Sequence, residues 1–215
     1  MNIIIAGSGP SISSISPKEI LSSNAHVIAV NSIIDWLGGA DSWFTLDPSS
    51  TNLRIMRNPI AGVEYYAAIN DQNPAKKIIP EHVRVLKRIN NTAHRGRPTN
   101  TPKYWYHRWG CVPGLSEDPS KIHTGNSVYG ALGLAYHWKP KNILLLGVDG
   151  TNEPKVTNGR PTDYNISHLN LLFSTAVIQL RRQGITVING SENSKVTCFT
   201  RCTPQRGLKW LSTRT

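Results

Sequence analysis

The sequence predicts an α/β fold: a Rossmann-like parallel sheet flanked by helices, with a lid or small subdomain inserted after the third strand. Three observations carry this expectation. Short apolar runs of strand length end in glycine or a small polar residue, helix signals stand between them, and the most apolar run, Ile143–Leu146, shows no polar alternation. A strand without alternation is buried on both faces, as the strands of parallel sheets are. Strands that alternate with helices imply crossovers between parallel neighbours.

Each element follows in order. Ile3–Ala6 runs into Gly7-Ser8-Gly9-Pro10-Ser11, a buried strand entering a tight turn. Ser16 with Pro17 and Glu19 reads as a helix start, with a capping hydroxyl and proline at the first helical position. His26–Val30 is the second strand, ended by Asn31. A short helix over Ile33–Leu37 stops at Gly38-Gly39, and Ser42–Leu46 is the third strand, ended by Asp47-Pro48. Residues 49–123 form the expected lid or subdomain. Within them Val63–Ala68 and Val83–Leu86 have strand composition, while Asn91–Pro119 is polar, basic and rich in proline and glycine, the mark of a functional loop. Lys103–Trp109 interleaves aromatic and basic residues, which suits either stacking on a ligand or a small satellite core. Asn126–His137 is helical, with small residues for close packing, and Asn142–Val148 is the central strand. A loop over Thr151–Asn165 precedes a helix from about Ser167 to Arg182, which Gly184 closes. Ile185–Ile188 is the last strand, and residues 201–215 form a basic, frayed tail.

The 215 residues fit one domain, spanning 1–215. No apolar run reaches the roughly 18–20 residues that cross a bilayer, and Met1–Ile5 has the look of a strand rather than of a signal peptide. The three cysteines, Cys111, Cys198 and Cys202, show no framework spacing, which points to a reducing cytoplasm. Cys198 and Cys202 are spaced to share a helix face, but two thiols lack the further ligands of a zinc site, and no metal site is expected. Net charge is +11, made of −3 over residues 1–50 and +7 in each of 51–124 and 125–215. Such an excess attracts polyanions or phosphate-rich substrates, and it also serves solubility.

In open parallel sheets ligands bind beyond the carboxyl ends of the strands. That edge collects Gly7, Ser8, Gly9, Pro10, Ser11, Asn31, Asp47, Asp149 and Ser191, residues that let backbone amides approach phosphate and that hydrogen-bond a ribose or base. The glycine turn has neither the third glycine of the dinucleotide fingerprint nor a Walker lysine. Thr124-Gly125-Asn126-Ser127 opens a helix, where N-capping and anion binding both apply. His168, at a helix start just after a lid-like loop that carries Asp163 and Tyr164, is the candidate acid–base residue.

In this order the motifs resemble a known family. They are Ile-Ile-Ala-Gly-Ser-Gly-Pro-Ser at 4–11, Val-Asn at 30–31, Leu-Asp-Pro-Ser at 46–49 and Thr-Gly-Asn-Ser-Val-Tyr at 124–129. Leu-Leu-Gly-Val-Asp at 145–149, His168 and Asn-Gly-Ser-Glu-Asn-Ser at 189–194 complete the set. The chain resembles the bacterial sialyltransferases of glycosyltransferase family 42 and the related DUF115 proteins, across nearly its whole length. The resemblance implies a nucleotide-sugar site at the strand ends, a lid and metal-independent inverting transfer. It casts Ser8 with its flanking glycines, Asn31 and Ser127 with its neighbours as donor-binding. It casts His168 as the base, Tyr164 as a lid tyrosine on the leaving phosphate, and Lys155 or Arg160 as added charge. It also implies an oligomer, often a tetramer. The sialyltransferases usually carry asparagine where this chain has Ser8 and Asp47, which argues against sialic acid as the sugar.

Three functions follow as expectations. The first is a cytoplasmic glycosyltransferase, of a kind a phage or mobile element would encode, with a nucleotide sugar as donor and no cofactor. Its acceptor would be a polyanion such as modified DNA or an anionic glycan. The second is an Mg²⁺-dependent pyrophosphokinase of a pterin-like alcohol, with Asp47 and Asp149 as metal ligands. The third is a nucleic-acid-binding protein without catalysis.

Overall fold

The computed structural model describes residues 1–91, 96–97, 99–162 and 165–213. Its strands are β1 (Asn2–Ala6), β2 (His26–Val30), β3 (Ser42–Thr45), β4 (Glu64–Ile69), β5 (Val83–Ile89), β6 (Lys121–His123), β7 (Asn142–Leu146), β8 (Thr186–Asn189) and β9 (Thr200–Arg201). They form one sheet in the order β6-β5-β4-β3-β2-β1-β7-β8-β9. All eight pairings are parallel. The chain lays down five strands outward from β1 on one side and then returns to place β7 on the other. The topological switch point therefore lies between β1 and β7.

Alternation along each strand feeds two cores. Ile3 and Ile5 of β1, Ile28 and Val30 of β2 and Phe44 of β3 face one side. There they meet α5 (Ser127–His137), α6 (Leu169–Ser174) and α7 (Val177–Arg182), through Leu132, Leu172 and Leu180. Ile4, Val27, Ala29 and Trp43 face the other side, where α1 (Pro17–Leu21), α2 (Ile33–Leu37), α3 (Ser50–Arg57) and α8 (Pro204–Ser212) supply Ile20, Ile33, Ile55 and Leu211. The helix α5 is buried from Tyr129 to Tyr136. It lies close because Gly130 has no side chain: a Cβ there would stand 2.8 Å from the Phe44 ring and 3.0 Å from Leu46. The start of α1 is a capping box, with Ser16 and Glu19 each satisfying the other's backbone amide.

Four expectations change. Residues 49–123, read as a lid or subdomain, extend the same sheet by three strands, β4 to β6, and carry α3 and α4 (Pro102–Arg108). The helix expected over 167–182 is two helices, α6 and α7, with Thr175 and Ala176 between them. The described part of the basic tail, residues 201–213, is ordered: β9 pairs with β8, and α8 docks through Gly207, where a Cβ would stand 2.6 Å from Leu144. Cys198 and Cys202 flank β9 rather than share a helix face. No described helix is long and apolar enough to cross a membrane.

Candidate functional site

The carboxyl ends of the strands open into a cleft of about 400 Å³. Twelve of the expected residues line it: Gly7, Ser8, Gly9, Pro10, Asn31, Asp47, Gly125, Asn126, Ser127, Asp149, Lys155 and His168. The volume falls within the range of small-ligand sites. Ser11 and Ser191 line a neighbouring cavity beyond Asp149. Thr124 is fully buried, and Arg160 is exposed and does not line the cleft. Tyr164 and Asp163 lie outside the described residues.

At the switch point the glycine turn is committed to the fold. The Gly7 amide donates to Leu146 O (2.8 Å) and the Gly9 amide to Gly147 O (2.9 Å). The Ser11 amide donates to Asp149 Oδ2 (2.9 Å), so a carboxylate of the chain itself occupies the place a bound anion would take. The Gly7, Gly9 and Ser11 amides are thus used within the chain, while the Ser8 amide has no hydrogen-bond partner among the described residues. The glycines are needed because two loops touch: a Cβ on Gly9 would run into Asp149 Oδ2 and stand 2.7 Å from Gly147 O. The loop over 151–165 is tied to this turn by Val156 N donating to Ser8 O (3.0 Å), and it brings Lys155 and Glu153 to the cleft.

Over β2 and β3 the polar groups are organised differently. Asn31 sits in the left-handed region (φ 58°), a conformation asparagine tolerates better than most residues. Its Oδ1 accepts from Thr45 Oγ1 (2.7 Å) and Asn52 Nδ2 (3.2 Å), and its carbonyl accepts from Trp43 Nε1 (2.8 Å). Asn52 also donates to Asp47 O (2.7 Å). This network holds Asn31 and Asp47 at the rim and leaves the Nδ2 of Asn31 without a hydrogen bond among the described residues.

The N-terminus of α5 is capped by Asn126, whose Oδ1 accepts from Val128 N (2.9 Å) and Tyr129 N (3.4 Å). Next to it Gly125 (φ 147°) leaves room for Cys111 and Leu172, each 2.6 Å from where a Cβ would be. Burial pushes the Cys111 thiol up to about 12, so it packs rather than reacts. The Gly125 carbonyl meets His168 Nε2 at 3.2 Å. A carbonyl only accepts, so Nε2 carries the proton and Nδ1 the lone pair of the neutral ring. His168 is 2% exposed, and Nδ1 is buried with no partner among the described residues. Burial holds the imidazole below its ordinary pKa, against the opposing hydrogen bond to Gly125.

Among the other lining residues, two bring further chemistry. Arg88 is the penultimate residue of β5, beyond the Leu86 at which that strand was expected to stop, and its Nη1 donates to Leu46 O (3.0 Å). Extending the strand by alternation to Ile89 would have placed it at the ligand edge. Trp109 belongs to the aromatic–basic segment, which divides between both expected roles: Tyr104 and Tyr106 are buried, whereas Trp109 reaches the cleft, its Nε1 donating to Asn165 O (3.0 Å). Among the described residues no group of three His, Cys, Asp or Glu side chains is arranged to hold a metal ion. Comparison of the chain with protein-family models, with curated proteins and with solved structures gives no significant match.

Proposed function

We propose that the chain is a nucleotide-sugar-dependent glycosyltransferase that works without a metal and uses His168 as general base. One observation carries the reading: a buried neutral imidazole on the cleft wall, its proton fixed on Nε2 by Gly125 O and its Nδ1 lone pair unused. In the step, the acceptor O–H gives its proton to Nδ1 and the oxygen bonds to the anomeric carbon from the face opposite the nucleotide. The bond from that carbon to the phosphate oxygen breaks, and the nucleotide leaves with the electron pair. Charge developing on the phosphate is met by Lys155 and the opening turn of α5. Tyr164 and Arg160 are proposed for the same task on the resemblance alone. Asn31, through its free amide, is the donor-binding residue with the best geometric support.

The net charge of +11 supports a polyanionic acceptor, DNA or an anionic glycan, in a cytoplasmic setting. The pyrophosphokinase alternative needs Asp47 and Asp149 on one Mg²⁺. They follow β3 and β7, three strand spacings or about 14 Å apart, whereas a shared ion holds its oxygens at roughly 2.1 Å. That geometry favours the metal-independent reading. The test is His168→Ala: turnover falls about 10²-fold or more while donor affinity stays unchanged. Turnover equal to that of the unaltered chain overturns the assignment.

A further inference from the structure

We propose that Arg88, together with the first turn of α5, forms a phosphoryl-binding subsite of the cleft. The inference rests on the nucleotide reading only in taking the anion to be phosphoryl. Arg88 is part-buried and lines the cleft. Its one hydrogen bond, Nη1 to Leu46 O, uses one side of the guanidinium and fixes its plane. The side-on fork made by Nε and Nη2 has no partner among the described residues, and Nε is shut off from water.

A guanidinium in this state is incomplete. Charges withdrawn from water are ordinarily paired, and leaving one unpaired is costly. Asp47 is close enough to act on Arg88 through space, but no ion pair forms between them. With Nε sealed, Nη2 is the donor left to meet an anion in the cleft. A further donor lines the same cleft: the opening residues of α5, Ser127 and Val128, stand among its walls with Arg88. The Asn126 side chain caps Val128 and Tyr129, while the Ser127 amide has no partner among the described residues. A phosphoryl group offers one oxygen to Nη2 and another to that amide.

Calorimetric titration of the full chain with inorganic pyrophosphate in EDTA tests this, with citrate as the carboxylate probe. Expected is one saturable pyrophosphate site that Arg88→Gln weakens by about ten- to hundred-fold. Arg88→Lys should fall between, keeping charge but losing Nη2. Arg206→Gln, an exposed arginine on α8, should bind as the unaltered chain does. No saturable site, undiminished binding by Arg88→Gln, equal weakening by Arg206→Gln, or citrate binding tighter than pyrophosphate each overturns the proposal. If Arg88→Gln does not fold, amide exchange in the unaltered chain decides: pyrophosphate must slow exchange at 127–129, and no slowing overturns it. Pyrophosphate needs neither a sugar nor turnover. A site found here without any transferase activity would therefore sink the glycosyltransferase reading and leave this one standing.

Discussion

Two stretches of the same sheet edge behave in opposite ways. Where β1 meets β7, at the topological switch point, the loops are laced together by the Gly7, Gly9 and Ser11 amides, which bond to Leu146, Gly147 and Asp149. Over β2, β3 and β5 the backbone is held by buried side chains instead, and Asn31 Nδ2 and Arg88 Nη2 have no partner among the described residues. The lesson concerns where binding capacity resides. A switch point brings strand ends together, but it binds a ligand only with groups the fold has not already used. In this protein three amides of the glycine turn are used by the fold, and the unpartnered groups proposed for recognition lie one to four strands from β1.

Breaking the laced side should have the largest effect. Gly9→Ala forces a methyl group into Asp149 Oδ2 and Gly147 O, so a stability loss on the order of 3 kcal/mol is expected in chemical denaturation. A loss below about 1 kcal/mol would mean the two loops separate easily. On the open side, Asn31→Ala removes an acceptor for two donors and keeps the left-handed backbone, costing about 1–2 kcal/mol. Asn31→Gly should be the more stable of the two, since glycine relieves that backbone, yet it should lose ligand affinity as fully as alanine. Equal stability of the pair would show that φ 58° carries no strain.

A smaller effect comes from pH. Burial lowers the folded pKa of His168, and of His137, below the ordinary 6.5. The unfolded chain then binds more protons between the two values, so stability is fully present above about pH 6.5 and declines as pH falls through the window below it. His168→Gln should flatten part of that decline in melting curves taken across the range. A decline of the same depth in the variant would assign it to other groups.

Much of the fold was legible because the inner strands are short and apolar throughout. The runs at Ile3–Ala6, His26–Val30 and Ile143–Leu146 announce themselves. The edge strands do not. β6 is Lys-Ile-His, one apolar residue whose burial depends on α5 above it, and β9 is two exposed residues held by pairing with β8 and by Arg201 Nη1 donating to Ser194 O. α8 looked like a frayed basic tail because Arg206 and Lys209 hide a face whose buried members are Pro204, Gly207 and Leu211. In the candidate site, the strand-end rule placed Asn31, Asp47 and Asp149 correctly. It could not show that Gly7 and Gly9 also let two loops touch, since sequence cannot tell a glycine that admits a ligand from one that admits another loop. Arg88 and Asn52 were missed for another reason: Arg88 lies past Leu86, where that strand was expected to stop, and Asn52 lies on a helix within 49–123 that was read as lid or subdomain.

The most direct test of the central claim is thermal stabilisation of the full chain in EDTA by CMP, UDP, GDP, ADP and their common sugar conjugates. The account predicts saturable stabilisation by one nucleotide class without metal, roughly 2.7 kcal/mol at 100 times the Kd. Stabilisation by none of them, or only by ATP or GTP once Mg²⁺ is restored, would contradict it.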